Sequence, residues 1–273
     1  MNAHGNGSAC LFARAGECLD KSDPGQKLAA TAAAAAEFAA GRLHVDVAAA
    51  AVLPIGLPGR PARPQLVPPR RLPHRGLGTA EGRAALVHAV AHIEFNAINL
   101  AWDAVYRFRG MPIAYYRDWI GVAADEARHF TLLQARLREL GYAYGDFDAH
   151  DGLWEMAVKT ADSCLARMAL VPRVLEARGL DVTPGMIARL MAAGDAATVA
   201  ILELILREEI AHVAAGSRWF AWCCEREGAD ADAMFAALIA QHARGVVKGP
   251  FNMAARLAAG FSADELKRLQ AAA

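Results

Sequence analysis

Two short segments of this chain place a histidine three residues after a glutamate: Asp125-Glu126-Ala127-Arg128-His129 and Glu208-Glu209-Ile210-Ala211-His212. On a helix, an i, i+3 pair points its carboxylate and its imidazole to the same side, where one metal ion can take both. A further glutamate precedes each pair, Glu94 lying 32 positions before Glu126 and Glu176 lying 33 before Glu209. The unit of a glutamate, about 32 residues and then Glu-x-x-His therefore occurs twice. The chemistry this predicts is a two-metal carboxylate site. Glu94 and Glu176 would be terminal ligands, His129 and His212 one nitrogen ligand each, and Glu126 and Glu209 bridges.

The surroundings of these residues predict burial. Steps of three and four from Glu94 reach Val87, Val90, Ala97, Ile98, Ala101 and Val105. The same walk around Glu126 and His129 meets Trp119, Val122, Ala123, Phe130, Leu133 and Leu137, and around Glu209 and His212 it meets Leu202, Ile205, Leu206, Val213, Gly216 and Phe220. An ionised carboxylate in such a stripe costs several kcal/mol unless it is paired or metal-bound. Two divalent ions balance four glutamates charge for charge. Taken singly, each histidine reads as a hydrogen-bonded core residue and each glutamate as part of a solvated face; the repeated spacing is what carries the metal reading. Glu176 is the least secure member, because Pro172 lies four residues before it and Gly179 three after it, and Glu155 and Glu203 are its rivals. Asp125 and Glu208 are placed to accept a hydrogen bond from a metal-bound histidine, with ion pairs to Arg128 or Arg207 as the alternative. His88 and His92 fall off the Glu94 face and read as structural. Gly216 leaves space beside His212, for a small cavity or for close helix packing.

Four long helices are predicted to position these groups, over 79–108, 112–140, 151–178 and 195–227. Gly110, Met111 and Pro112 turn the first tightly into the second. Glu94 and Glu126 lie 17 and 15 residues from Met111, so on antiparallel neighbours they meet at one level. Residues 141–150 are long enough for a crossover, and Thr183-Pro184-Gly185 with a short helical piece to Ala193 should link the third helix to the fourth. Before this bundle come alanine-rich helical pieces over 10–40, broken around Asp23, Pro24 and Gly25. A segment from Pro54 to Pro73 follows with seven of the twelve prolines, which forces an extended path. After it come a helix over 231–243 and a tail. The predicted organisation is all-α: an N-terminal helical extension over 1–53, an extended Pro/Arg-rich arm over 54–78, a four-helix bundle with a dinuclear site over 79–227, and a C-terminal helical extension over 228–273.

Composition narrows the functions. The 55% hydrophobic content suffices for a large core, and 29 basic against 29 acidic residues leave no global field to gather nucleic acid or anionic membrane. The arm concentrates Arg60, Arg63, Arg70, Arg71 and Arg75, with no acid between Asp46 and Glu81. A strap pairing with acidic helix faces is favoured over an RNA-binding arm. The five cysteines show neither zinc spacing nor disulfide density and read as reduced thiols. The first residues lack a signal-peptide pattern and no apolar run suggests a membrane span, so a cytoplasmic location is expected.

The repeated Glu, spacing, Asp/Glu-Glu-x-x-His pattern resembles the ferritin-like di-iron carboxylate superfamily. The stretches HIEFNAINLAWDAVYRFRGMP, DEARHFTLLQARLRELGY, HDGLWEMA, RMALVPRVLEARGLDVTPG and KGPFN are similar to the bacterial ferritin-like family known as domain of unknown function 455, over roughly Arg60 to the C-terminus. That resemblance implies a ferritin-like bundle and two iron ions, with manganese able to replace iron at a carboxylate-rich site. The wider superfamily includes ribonucleotide reductase small subunits, rubrerythrins, multicomponent monooxygenases and a tRNA-modifying hydroxylase. It implies an O2-activating oxidase or hydroxylase with a small organic substrate and an external electron donor; a homo-oligomer is compatible with it. Two departures narrow the comparison. Leu133 stands where the radical-bearing reductase subunits carry a tyrosine, and the Cys-x-x-Cys pairs of rubrerythrins are absent. Two alternatives remain at this point: a metal storage or scavenging protein without an organic substrate, for which the two extensions are awkward, and an RNA-modifying hydroxylase that uses the arginine arm.

Overall fold

The computed structural model describes residues 9–46 and 52–272; the signal-peptide reading of the first residues lies outside them. Among the described residues the chain is all-α apart from a parallel pairing of two-residue strands, β1 (Ala9–Cys10) with β2 (Leu43–His44), and an isolated bridge between Leu66 and Ala149. Two short helices open it, α1 (Leu11–Asp20) and α2 (Pro24–Ala39). The break predicted around Asp23 is the start of α2: the Asp23 side chain accepts from the Gln26 amide, and Pro24 occupies a first-turn position that needs no amide donor. Leu11, Phe12, Ala15, Cys18 and Leu19 of α1 are buried in the same apolar cluster as the long helices.

The first long helix, α3 (Ala80–Arg107), starts where Thr79 accepts a hydrogen bond from the Gly82 amide, with Glu81 in the first turn. It is long and apolar enough to cross a membrane by length and composition, but 78% of that stretch is buried inside the protein, as in a core helix. Gly110, at φ +75°, reverses the chain into α4 (Ile113–Glu139). The turn is stitched by Tyr116, whose hydroxyl donates to the Phe108 carbonyl (3.1 Å) and accepts from the Met111 amide (3.2 Å). Both helices lie within two residues of their predicted bounds.

The fourth predicted helix is α8 (Ala196–Glu227), opened by Asp195 accepting from the Thr198 amide and closed by left-handed Gly228. Three pairings fix its register on α4. Arg136 reaches Asp195 (2.9 Å), Arg128 reaches Glu208 (2.6 Å), and Arg218 and the Trp219 indole both reach Asp118 (2.8 Å each). Their reversed order along the two helices makes α4 and α8 antiparallel and brings the two Glu-x-x-His segments to the same level.

The third helix differs from the expected 151–178. The chain forms α5 (Gly152–Lys159), breaks over 160–163, and then runs as α6 (Cys164–Leu170), a π-helical segment (Val171–Glu176) and α7 (Ala177–Ala192). Buried Arg167 stabilises the break by donating to Thr160 Oγ1 (2.7 Å), the Ala157 carbonyl (2.5 Å) and Asp103 (2.5 Å). Pro172 removes an amide donor and crowds the preceding turn, and the wider π turn accommodates it without ending the helix. Pro184 and Gly185, expected to link the third and fourth helices, instead lie inside α7; the link is Ala193 to Asp195.

The proline-rich segment is a strap. The Val67 amide donates to the Ala149 carbonyl (2.8 Å), the Ala149 amide to the Gln65 carbonyl (2.9 Å), and the Trp154 indole to the Gly56 carbonyl (3.0 Å). Arg60 pairs with Asp151 (2.9 Å) and Arg75 with Glu81 (3.2 Å), while Arg63, Arg70 and Arg71 are exposed. Beyond α8 lie α9 (Ala231–His242), α10 (Met253–Ala258) and α11 (Ala263–Ala272). Arg173 of the π-helical segment donates to Glu265 of α11 (2.6 Å) and lies among the rings of Phe220, Phe235 and Phe261. All five cysteines are free.

Candidate metal centre

The α3–α4 turn and the α4–α8 register bring Glu94, Glu126, His129 and Glu209 together, one ligand atom from each lying within 4.8 Å of all the others. His129 Nδ1 is 3.1 Å from Glu94 Oε2 and 3.4 Å from Glu126 Oε2. His212 enters from the other side, its Nδ1 3.0 Å from Glu126 Oε1 and 3.4 Å from Glu209 Oε1. Glu126 thus stands between the two imidazoles. Glu176 lines the same cavity as Glu94, Glu126 and Glu209 but lies outside the tight group of four.

These residues fit a pair of cations. Both oxygens of Glu126, Glu176 Oε2 and His212 Nδ1 are buried without a hydrogen-bond partner, although Glu126 and His212 approach each other closely. Lone pairs that converge without the alignment of a hydrogen bond are what a shared ion requires, and leaving them unpaired is costly. All the groups are oxygen or imidazole nitrogen donors, suited to iron or manganese.

The electrostatics register the same deficit of positive charge. Burial pushes Glu94 well above the usual carboxylate range, and the Glu126 charge adds to this. Burial likewise raises Glu176 to about 8, assisted by the charges of Glu209 and Glu126. Glu209 is raised by burial and by Glu126. Glu126 moves the other way: burial opposes ionisation, but contact with Glu94 and the two histidines outweighs it and holds the group well below its ordinary value. Burial disfavours a charged His129, yet Glu126 and Glu94 raise it to about 11, and His212 is raised well above its ordinary value against the same burial cost. The cluster draws positive charge inward, which divalent ions would supply without protonating the imidazoles.

Behind the histidines the arrangement is crossed. His129 Nε2, on α4, lies 2.6 Å from Glu208 on α8, and His212 Nε2, on α8, lies 3.3 Å from Asp125 on α4. Arg128 joins the two acceptors, 2.9 Å from Asp125 and 2.6 Å from Glu208. The predicted histidine partners and the alternative ion pairs with Arg128 are therefore present together.

Glu203 and Glu155, the rivals of Glu176, are exposed, and Glu155 faces a smaller neighbouring recess. Gly216 serves packing: a Cβ there would lie 2.3 Å from Pro172 Cγ. His88 accepts from the Gly145 amide (2.9 Å), and His92 contacts the Tyr144 hydroxyl (2.9 Å) and the His150 carbonyl (3.2 Å), so both fasten the crossover. Sequence reasoning missed the buried Asp103–Arg167 pair and the contribution of the C-terminal extension. His242 and Val246 line the cavity of about 600 Å³ that opens onto the glutamates. Neither carries a motif, since only the packing of α9 brings them there.

With this geometry in place, comparison with known proteins adds the family. A family profile described as "Protein of unknown function (DUF455)" matches residues 20–267, and the chain belongs to that family. The match extends further toward the N-terminus than the stretches singled out in the sequence, taking in α2. A Haemophilus influenzae protein described as "Uncharacterized protein" is 48% identical over 213 residues, covering 76% of this chain and 74% of that protein. No solved structure matches.

Proposed function

We propose that this protein is a ferritin-like dinuclear carboxylate oxidoreductase that uses iron, or iron and manganese, to oxidise an organic substrate with O2. The observation that carries this reading is the convergence of Glu94, Glu126, His129 and Glu209 within 4.8 Å of one another, with His212 Nδ1 3.0 Å from Glu126, Glu176 lining the same cavity, and both Glu126 oxygens without a hydrogen-bond partner. Glu94, Glu126, His129, Glu176, Glu209 and His212 would hold the ions. A bound metal pair supplies the redox chemistry with O2.

The chain's own contribution is positional. Glu208 and Asp125 hold the imidazoles with Nδ1 turned inward, which sets their tautomer and orientation. Val90, Val174, Leu202 and Ile205 keep the approach to the glutamates apolar and limit water there. That apolar cavity favours an organic substrate over mineral storage. Elemental analysis of the purified protein should find close to two transition-metal ions per chain, and ferrous loading in air should consume O2. A chain that binds no ions, or a fully loaded protein inert to O2, would overturn the assignment.

A further inference from the structure

The cavity above the glutamates is polarised along its depth. Its floor is formed by the four carboxylates, and its walls by Val90, Ile93, Val174, Met186, Leu202 and Ile205. Its remaining titratable lining groups are Lys159, Arg178, His150 and His242, so no acid lines it above the floor. Lys159 is exposed at the end of α5. Arg178, in the first turn of α7, donates through Nη1 to the Lys248 carbonyl, and neither cation forms an ion pair among the described residues. Ile93 and Val246 are each 45% exposed at the mouth, an apolar rim beside cationic side chains. The volume of about 600 Å³ lies in the range of about 300–1,000 Å³ usual for small-molecule sites.

We propose that this cavity binds an amphiphilic carboxylate, its anionic head at the rim on Lys159 and Arg178 and its apolar body lying along the walls toward the glutamates. The inference deepens the oxidoreductase reading and rests on it for the identity of the floor. Charge complementarity selects the anion, because a cationic amphiphile would meet two like charges at the entrance and a neutral one would leave both without a counter-ion. The same arrangement keeps the head away from the floor, so the part of the substrate presented to the metal centre is hydrocarbon.

The test uses purified full-length protein whose metal content has first been measured. Decanoate, octanoate and decyltrimethylammonium are titrated calorimetrically below their micelle concentrations, and decan-1-ol below its solubility limit. Decanoate should bind at least tenfold more tightly than the cation, and about tenfold more tightly than octanoate, as burial of two further methylenes requires. The Lys159→Gln/Arg178→Gln variant should lose that charge preference while retaining decanol binding and its thermal melting point. Equal affinity for all three head groups would overturn the proposal. So would an unchanged decanoate affinity in the double variant, which would place the head on the metal ions instead. Decanoate binding by a metal-free protein would leave the cavity assignment standing and remove the oxidoreductase reading; metal without decanoate binding would do the reverse.

Discussion

His129 on α4 is held by Glu208 on α8, Nε2 to Oε2 at 2.6 Å, so each Glu-x-x-His segment is oriented by the acid that precedes the glutamate of the other. Outer contacts of this kind fix the ring of a ligating histidine, and their loss typically costs roughly 10–100-fold in metal affinity. Glu208→Gln and Asp125→Asn should each weaken binding by that order, with helix content unchanged. Competition against a chelator of known affinity provides the measurement. Affinities equal to wild type would show that the crossed contacts are only structural ion pairs.

Glu176 and its rivals separate by stoichiometry. Glu176→Ala should lower the bound metal from about two ions per chain toward one, because this carboxylate faces the cavity while Glu155 and Glu203 do not. Glu155→Ala and Glu203→Ala should retain both ions. Plasma emission analysis after identical loading distinguishes the three variants.

Gly216 tests the close contact with the π-helical segment. A Cβ would lie 2.3 Å from Pro172 Cγ, a ring carbon that cannot swing aside, so Gly216→Ala should destabilise the fold by about 1–3 kcal/mol in urea titrations. Adding Pro172→Ala should recover part of that loss. A double-mutant cycle reads the coupling, and strict additivity would contradict the packing assignment.

His88 predicts an acid limb of stability away from the metal centre. Burial pushes its pKa down to about 4, and its Nε2 must stay unprotonated to accept from the Gly145 amide. With an unfolded value of about 6.5, the unfolded chain binds the extra proton first, so stability falls as pH drops from about 6.5 to about 4. The full shift corresponds to a loss on the order of 3 kcal/mol. His88→Gln keeps an acceptor without a titrating group. Its stability should be flatter across that window in denaturant titrations at several pH values; a slope parallel to wild type would rule His88 out as the source.

Much of the site was legible because helical periodicity and turn position are local properties. Glu94, Glu126 and His129 could be matched across a turn whose length the sequence states, and Gly110 does reverse the chain there. The second half was legible only by analogy of spacing. A proline four residues before Glu176 reads as a break, and only the π turn, stabilised by the fit of Pro172 against Gly216, keeps that helix running. The real interruption, at 160–163, depends on Arg167 reaching Asp103, 64 residues earlier, and a pairing that distant leaves no periodic trace. For the same reason the strap was readable as extended from its prolines, whereas its pairing of Leu66 with Ala149 was not.

Arg173 has an implication for synthesis. The residue sits three positions before Glu176, and its carboxylate partner Glu265 lies 92 residues further along. At translation rates of about 5–20 residues per second, the ribosome needs roughly 5 to 20 s to deliver that partner. Until then the guanidinium of Arg173 awaits its counter-charge, so the turn that carries Glu176 is latched only at the end of biosynthesis.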